Sequence, residues 1–162
     1  MTLLTNTNSF AKQLCIAVFA IFIGSQITEG ALLVPYWQSL SASEFYAYYA
    51  DFGPMIGRFY TILTIIAALI SIAVAVLFAT KKYEGSRYAI LSAVCAILFV
   101  LSFYVYFKGT NARFYEMDFS DADLSKELIT WSTWHWGRIV VEIMSLIFLM
   151  MAFAKSTVKG NN

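Results

Sequence analysis

Three ionisable residues of one apolar stretch, His135, Arg138 and Glu142, are spaced i, i+3 and i+7, so a helix carrying them presents all three on one face. Gln26 and Glu29 stand one helical turn apart in another apolar stretch, Arg58 opens a third and Asn111 follows a fourth. Ions surrounded by apolar sequence are costly, and each is a site hypothesis until it is explained otherwise. Glu29 and Glu142 can pair with Arg58 and Arg138, and the four formal charges cancel. Two readings follow. The groups converge on a pocket for the polar part of an otherwise apolar molecule, or they are ion pairs that clamp helices together. Trp131, Trp134 and Trp136 carry the same ambiguity, as anchors in an interfacial belt or as rings that stack on a flat ligand.

What must position these groups is set by composition. The chain has 162 residues, of which 60% are hydrophobic, 17% aromatic and only 13% charged, about half the charged share of an ordinary soluble domain. Lipid is therefore its expected solvent. The net charge of +1 offers no basic face to nucleic acid and no acidic face to a cationic substrate. Cys15 and Cys95 each sit within an apolar run and read as small buried hydrophobes. With one His and no CxxC or HxxxH spacing, no metal site is expected.

Four apolar stretches, at about 11–34, 55–79, 88–107 and 132–154, each reach the roughly 20 residues that a helix needs to cross the hydrocarbon core. In lipid the backbone must satisfy its own hydrogen bonds, and runs of this length exclude the short alternating strands of a barrel. The expectation is an all-α, four-helix transmembrane bundle forming one domain over 1–162. The first stretch is too long for the apolar core of a signal peptide, about 7 to 15 residues, and lacks a small-x-small cleavage site, so it reads as a retained span.

Charge alternates between the connections. Lys12, then Lys81, Lys82 and Arg87, then Lys155 and Lys159 fall on one side; Glu44, Asp51, Glu116, Asp118, Asp121, Asp123 and Glu127 fall on the other. The positive-inside rule places both termini in the cytoplasm, across a plasma (inner) membrane. Each outer loop is expected to contain a short interfacial helix. The first is capped by Ser41-Ala-Ser43-Glu44, with Phe45, Tyr46, Tyr48 and Tyr49 at headgroup depth; the second includes 121–127. Pro35 and Pro54 read as loop boundaries. Gly24, Ser25 and Gly30 make a small-residue face that favours close helix approach or self-association.

At the fourth span, Trp131-x-x-x-His135-x-x-Arg138 entering an apolar helix resembles the four-helix membrane family of unknown function that includes the fungal anthrone oxygenases. That family's Gly-rich first helix followed by Pro looks like Gly24, Gly30 and Pro35, and its Asn after the third span looks like Asn111. This chain reads Gly109-Thr110-Asn111 where the family commonly has a Pro two residues before the Asn. The resemblance covers nearly the whole chain and implies Asn111, His135 and Arg138 as catalytic residues. It further implies addition of oxygen to an electron-rich anthrone without metal, flavin or other cofactor, with His135 as the base that forms the enolate and Arg138 stabilising it. Gln26, Glu29, Arg58, Trp131, Trp134 and Glu142 complete the expected ligand-binding set. The competing expectation is a non-catalytic membrane scaffold or accessory subunit. Transport is disfavoured, since four spans show no inverted repeat, broken midplane helix or continuous polar stripe.

Overall fold

The computed structural model describes residues 2–157, with side chains from Ser9 on; Lys159 lies outside the described residues. Among them the fold is all-helical, with four helices long and apolar enough to cross a membrane: α1 (Ser9–Ser39), α2 (Ala42–Thr80), α3 (Ser86–Tyr115) and α4 (Asp121–Ala154). The helix containing α1 begins at Thr2. About two thirds or more of each helix's most apolar window faces outward, as expected where the surrounding solvent is as apolar as the core. Val105, Leu32 and Ile21, 72%, 66% and 65% exposed, are examples that water would not tolerate in such number.

The helices extend well beyond the stretches expected from hydropathy. At about 1.5 Å per residue, the 39 residues of α2 span about 58 Å, nearly twice a hydrocarbon core of about 30 Å. The segments expected as separate interfacial helices are these extensions. Ser41 accepts from the Glu44 amide while the Glu44 carboxylate accepts from the Ser41 amide at 2.9 Å, a complete capping box that opens α2 itself. Ser120 likewise caps α4 through the Asp123 amide. The two prolines do not bound loops: Pro54 lies inside α2 and Pro35 inside the helical run of α1.

α4 packs along α3 and against α1, and α2 packs along α3 and against α1. Two cores result. Toward the termini, Phe19, Phe22 and Phe99 pack with a run of small residues, Ala67, Ala75, Ala89, Ala93, Ala96 and Ala152, which lets the backbones approach closely. Ser71, Ser92 and Ser145, fully buried, join α2, α3 and α4 there: Ser92 donates to Ser71 at 3.1 Å, and Ser145 donates to the Ser92 carbonyl at 2.9 Å. At the distal end the helix extensions enclose an aromatic cap of Trp37, Phe45, Tyr49, Phe107, Phe114 and Trp131. Phe45 and Tyr49 thus turn inward into this cap, and Tyr46 fixes the 116–120 turn by donating to the Phe119 carbonyl at 3.0 Å. Cys95 is buried, Cys15 is partly exposed, and both are free thiols.

Two helices depart from α geometry, α1 in a π-helical turn at Glu29–Leu33 and α3 in another at Phe103–Phe107. Both lie at the junction of the two cores.

The turn between α2 and α3 is stitched to the end of α4, with the Gly85 amide donating to the Lys155 carbonyl at 2.8 Å and the Glu84 amide to the Thr157 carbonyl at 2.9 Å. A Cβ on Gly85 would lie 2.4 Å from the Ala152 carbonyl oxygen, an atom of backbone that cannot swing aside. Gly85→Ala should therefore destabilise the protein by about 1–3 kcal/mol. Gly24, whose added Cβ meets nothing within 4 Å, should tolerate Ala with a gain of about 0.5–1 kcal/mol from reduced backbone freedom. Thermal unfolding of both variants in detergent checks the contrast, and equal behaviour would refute the close-approach argument.

Candidate functional site

Between the two cores, five polar side chains from α1 and α4 are gathered away from lipid. Gln26, His135 and Glu142 are fully buried and Glu29 is 5% exposed. Arg138 joins two of them, Gln26 and Glu142. Its Nε donates to Glu142 Oε1 at 3.1 Å, its Nη2 donates to Gln26 Oε1, and its guanidinium lies over the Phe107 ring, 5.1 Å from the centroid. The i, i+4 spacing of Arg138 and Glu142 on one helix face is what makes the first contact, as the sequence pattern predicts.

His135 is held from both sides. Its Nε2 lies 2.9 Å from the Gln26 carbonyl oxygen, and its Nδ1 lies 3.9 Å from Glu29 Oε2 without a hydrogen-bond partner. Trp131, one turn earlier, stacks on the imidazole at 5.0 Å and 16°, and donates its indole N–H to Asn111 Oδ1 at 3.0 Å. The Trp-x-x-x-His-x-x-Arg pattern thus has a direct geometric meaning. Trp131 covers His135, and Arg138, three residues on, reaches across to α1. Gly30 permits this approach, since a Cβ there would lie 3.0 Å from His135 Cδ2 and 3.1 Å from the Trp136 ring.

The π-turns frame this arrangement. Glu29 opens the turn in α1, and Phe103, Tyr104 and Phe107 belong to the turn in α3. Wide turns of this kind occur often at functional sites because they aim side chains that a regular helix would misdirect. Here both border a single cavity of about 350 Å³, a volume in the range of small-molecule sites. Glu29, Arg138, Asn111 and Trp131 reach it, while Trp37, Tyr49, Tyr60, Phe103, Phe107 and Tyr115 supply most of its aromatic wall. The Trp37 indole N–H, buried at this wall, has no hydrogen-bond partner.

Of the residues expected from sequence, Glu29, Asn111, Trp131 and Arg138 line the cavity, and Gln26, His135 and Glu142 stand directly behind them. Arg58 does not join. It is exposed on α2, at the flank of the face whose Gly53, Gly57, Tyr60 and Thr64 line the cavity, and does not line it itself. Trp134 also lies apart, 41% exposed and stacked on Tyr106 at 5.0 Å and 6°. It borders a second, shallower groove with Thr133, Gly137 and the outer flank of Arg138. The sequence reading missed the α2 wall. Gly53, Gly57 and Thr61, small residues repeating every four positions, were the available signal.

Among the described residues, no three His, Cys, Asp or Glu side chains are grouped as a metal ion would require. The chain matches no family model, no curated protein and no solved structure.

Glu142 is fully buried and its one charged partner in hydrogen-bond contact is Arg138. Arg138→Met should destabilise the fold by about 3–5 kcal/mol by leaving a carboxylate uncompensated, and adding Glu142→Gln should recover much of the loss. Thermal melts of the two single variants and the double variant measure this coupling; strictly additive effects would refute it.

Proposed function

We propose that this chain is an integral membrane protein that binds a small, flat, largely apolar ring compound within its helical bundle. The observation that carries this reading is the 350 Å³ cavity in which one carboxylate, one guanidinium and one carboxamide, Glu29, Arg138 and Asn111, meet a wall of aromatic rings. Aromatic walls take up ring area, and a few fixed polar groups orient the ligand's polar edge.

The resemblance to the anthrone oxygenases suggests the chemistry: oxygenation of an electron-rich ring without a cofactor, through an enolate or phenolate held by Arg138. The charge distribution of the connections supports cytoplasmic termini in a plasma (inner) membrane, with the cavity toward the opposite face. A second reading has its own support. Arg138 is already engaged by Gln26 and Glu142, as in a scaffold or accessory subunit whose polar residues clamp helices. In that role the small-residue faces serve self-association or a partner subunit.

Gly57 lines the cavity and an added Cβ meets nothing within 4 Å, so the side chain of Gly57→Leu starts into open space. Anthrone should quench the fluorescence of Trp37 and Trp131 in the wild type, and Gly57→Leu, equally folded, should bind it at least about tenfold more weakly, a loss of about 1.4 kcal/mol or more. Equal quenching in both would reduce the signal to partition into detergent and reject the cavity as a site. Orientation is tested separately in intact cells. On a background without Cys15 and Cys95, a cysteine at Asp118 should react with an impermeant maleimide and one at Lys82 should not. The reverse pattern would invert the topology.

A further inference from the structure

We propose that Glu29 is the proton acceptor of the cavity and that His135 is the second station of a relay behind it, so that a ring compound bearing an acidic hydroxyl is ionised as it binds. This rests on the cavity being a ligand site, and it names the residue that touches the ligand and the group the ligand must carry.

Glu29, His135 and Glu142 can each take a proton, and of these Glu142 is held by Arg138 and lines no part of the cavity. Glu29 lines the cavity; His135 is fully buried, covered by Trp131, and lines no part of it. The tautomer of His135 follows from its neighbours. The Gln26 carbonyl can only accept, so the Nε2 atom 2.9 Å away carries a hydrogen. The lone pair of the neutral ring is then on Nδ1, the atom that has no hydrogen-bond partner and that faces Glu29 Oε2 at 3.9 Å. Closing that gap to hydrogen-bond length needs a movement of about 1 Å. Arg138, Glu142, Tyr49 and Tyr60 are the other titratable groups within electrostatic reach of Glu29.

The transfer balances without an oxidant or reductant. The ligand O–H bond breaks, its proton forms a bond to a Glu29 carboxylate oxygen, and the electron pair stays on the ligand oxygen. That oxyanion lies beside Arg138, whose guanidinium has five N–H groups and uses one from Nε for Glu142 and one from Nη2 for Gln26, so donors remain. In the second step the Glu29 O–H breaks as a bond to His135 Nδ1 forms. The resulting imidazolium is held between the Gln26 carbonyl and the Glu29 carboxylate. Total charge of site and ligand is unchanged throughout, which suits a compartment where net charge is costly. His135 never touches the ligand and is a positioning and proton-holding residue.

The test uses para-nitrophenol, which is yellow only as the phenolate, added to the full-length protein in detergent at a pH where the free compound is mostly neutral. Tryptophan quenching reports binding and the visible band reports ionisation. Wild type should quench and turn the bound probe yellow. Glu29→Gln, compared at saturating probe so that a change of affinity does not enter, should lower the apparent ionisation constant of the bound probe by about tenfold or more, one pKa unit. His135→Gln keeps a donor for the Gln26 carbonyl but lacks the Nδ1 lone pair, and should give an intermediate loss of colour with unchanged melting temperature. Should Glu29→Gln not fold, Glu29→Asp, with its carboxylate drawn back by one methylene, replaces it and should also lose colour. Undiminished colour in the Glu29 variant, or quenching by wild type with the probe left neutral, would overturn the relay and leave the cavity reading standing. No quenching by wild type would overturn both.

Discussion

A guanidinium sunk in an apolar bundle must be surrounded by acceptors, and the structure is organised around that demand. Arg138 draws Gln26 from α1 and Glu142 from its own helix, and lies over the Phe107 ring of α3. Three helices are thereby held in register by one side chain. The desolvation cost of burying these charges is several kcal/mol per ion, so the arrangement is far less tolerant of sliding than a purely hydrophobic contact between helices. In lipid, where apolar surfaces gain little by meeting one another, such polar contacts decide which helix faces turn inward.

The two cores divide the remaining work. Near the termini, alanines and the Ser71, Ser92 and Ser145 cluster bring α2, α3 and α4 to close distance. At the distal end, aromatic rings from all four helices build a cap whose bulk keeps the helices apart. A cavity at the boundary is the natural outcome, because helices spaced for rings on one side and for alanine on the other cannot close completely between them. The polar cluster lies beside this boundary, so its carboxylate and guanidinium meet both a wall of rings and an open volume.

The four spans were legible because hydropathy over about 20 residues is a strong signal. The meeting of Gln26, Glu29, His135, Arg138 and Glu142 was legible because isolated ions in lipid must find one another. Arg58 shows where this reasoning stops. Depth alone placed it with the cluster, but only the rotational phase of α2 determines whether a residue at that depth points inward, and the inward phase is set by Gly53, Gly57, Tyr60 and Thr64. Pro35 and Pro54 were misread because proline next to an apolar stretch commonly marks its end, whereas here the helix runs on through both. The inward turn of Phe45 and Tyr49 was hidden for a different reason: the amphipathic rings that fill the cap are the same residue types that form interfacial belts.

The π-turns bear on how this chain tolerates change in length. Each accommodates an additional residue within its helix, at Glu29–Leu33 and at Phe103–Phe107, so that the residues beyond it keep the facing they would have in a regular helix one residue shorter. A residue gained or lost elsewhere between the two cores would instead turn the downstream segment by about 100°. Trp37 in α1, or Asn111 and Phe114 in α3, would then be aimed away from the chamber. Loss of one residue within either turn is the change in length that this wall can absorb.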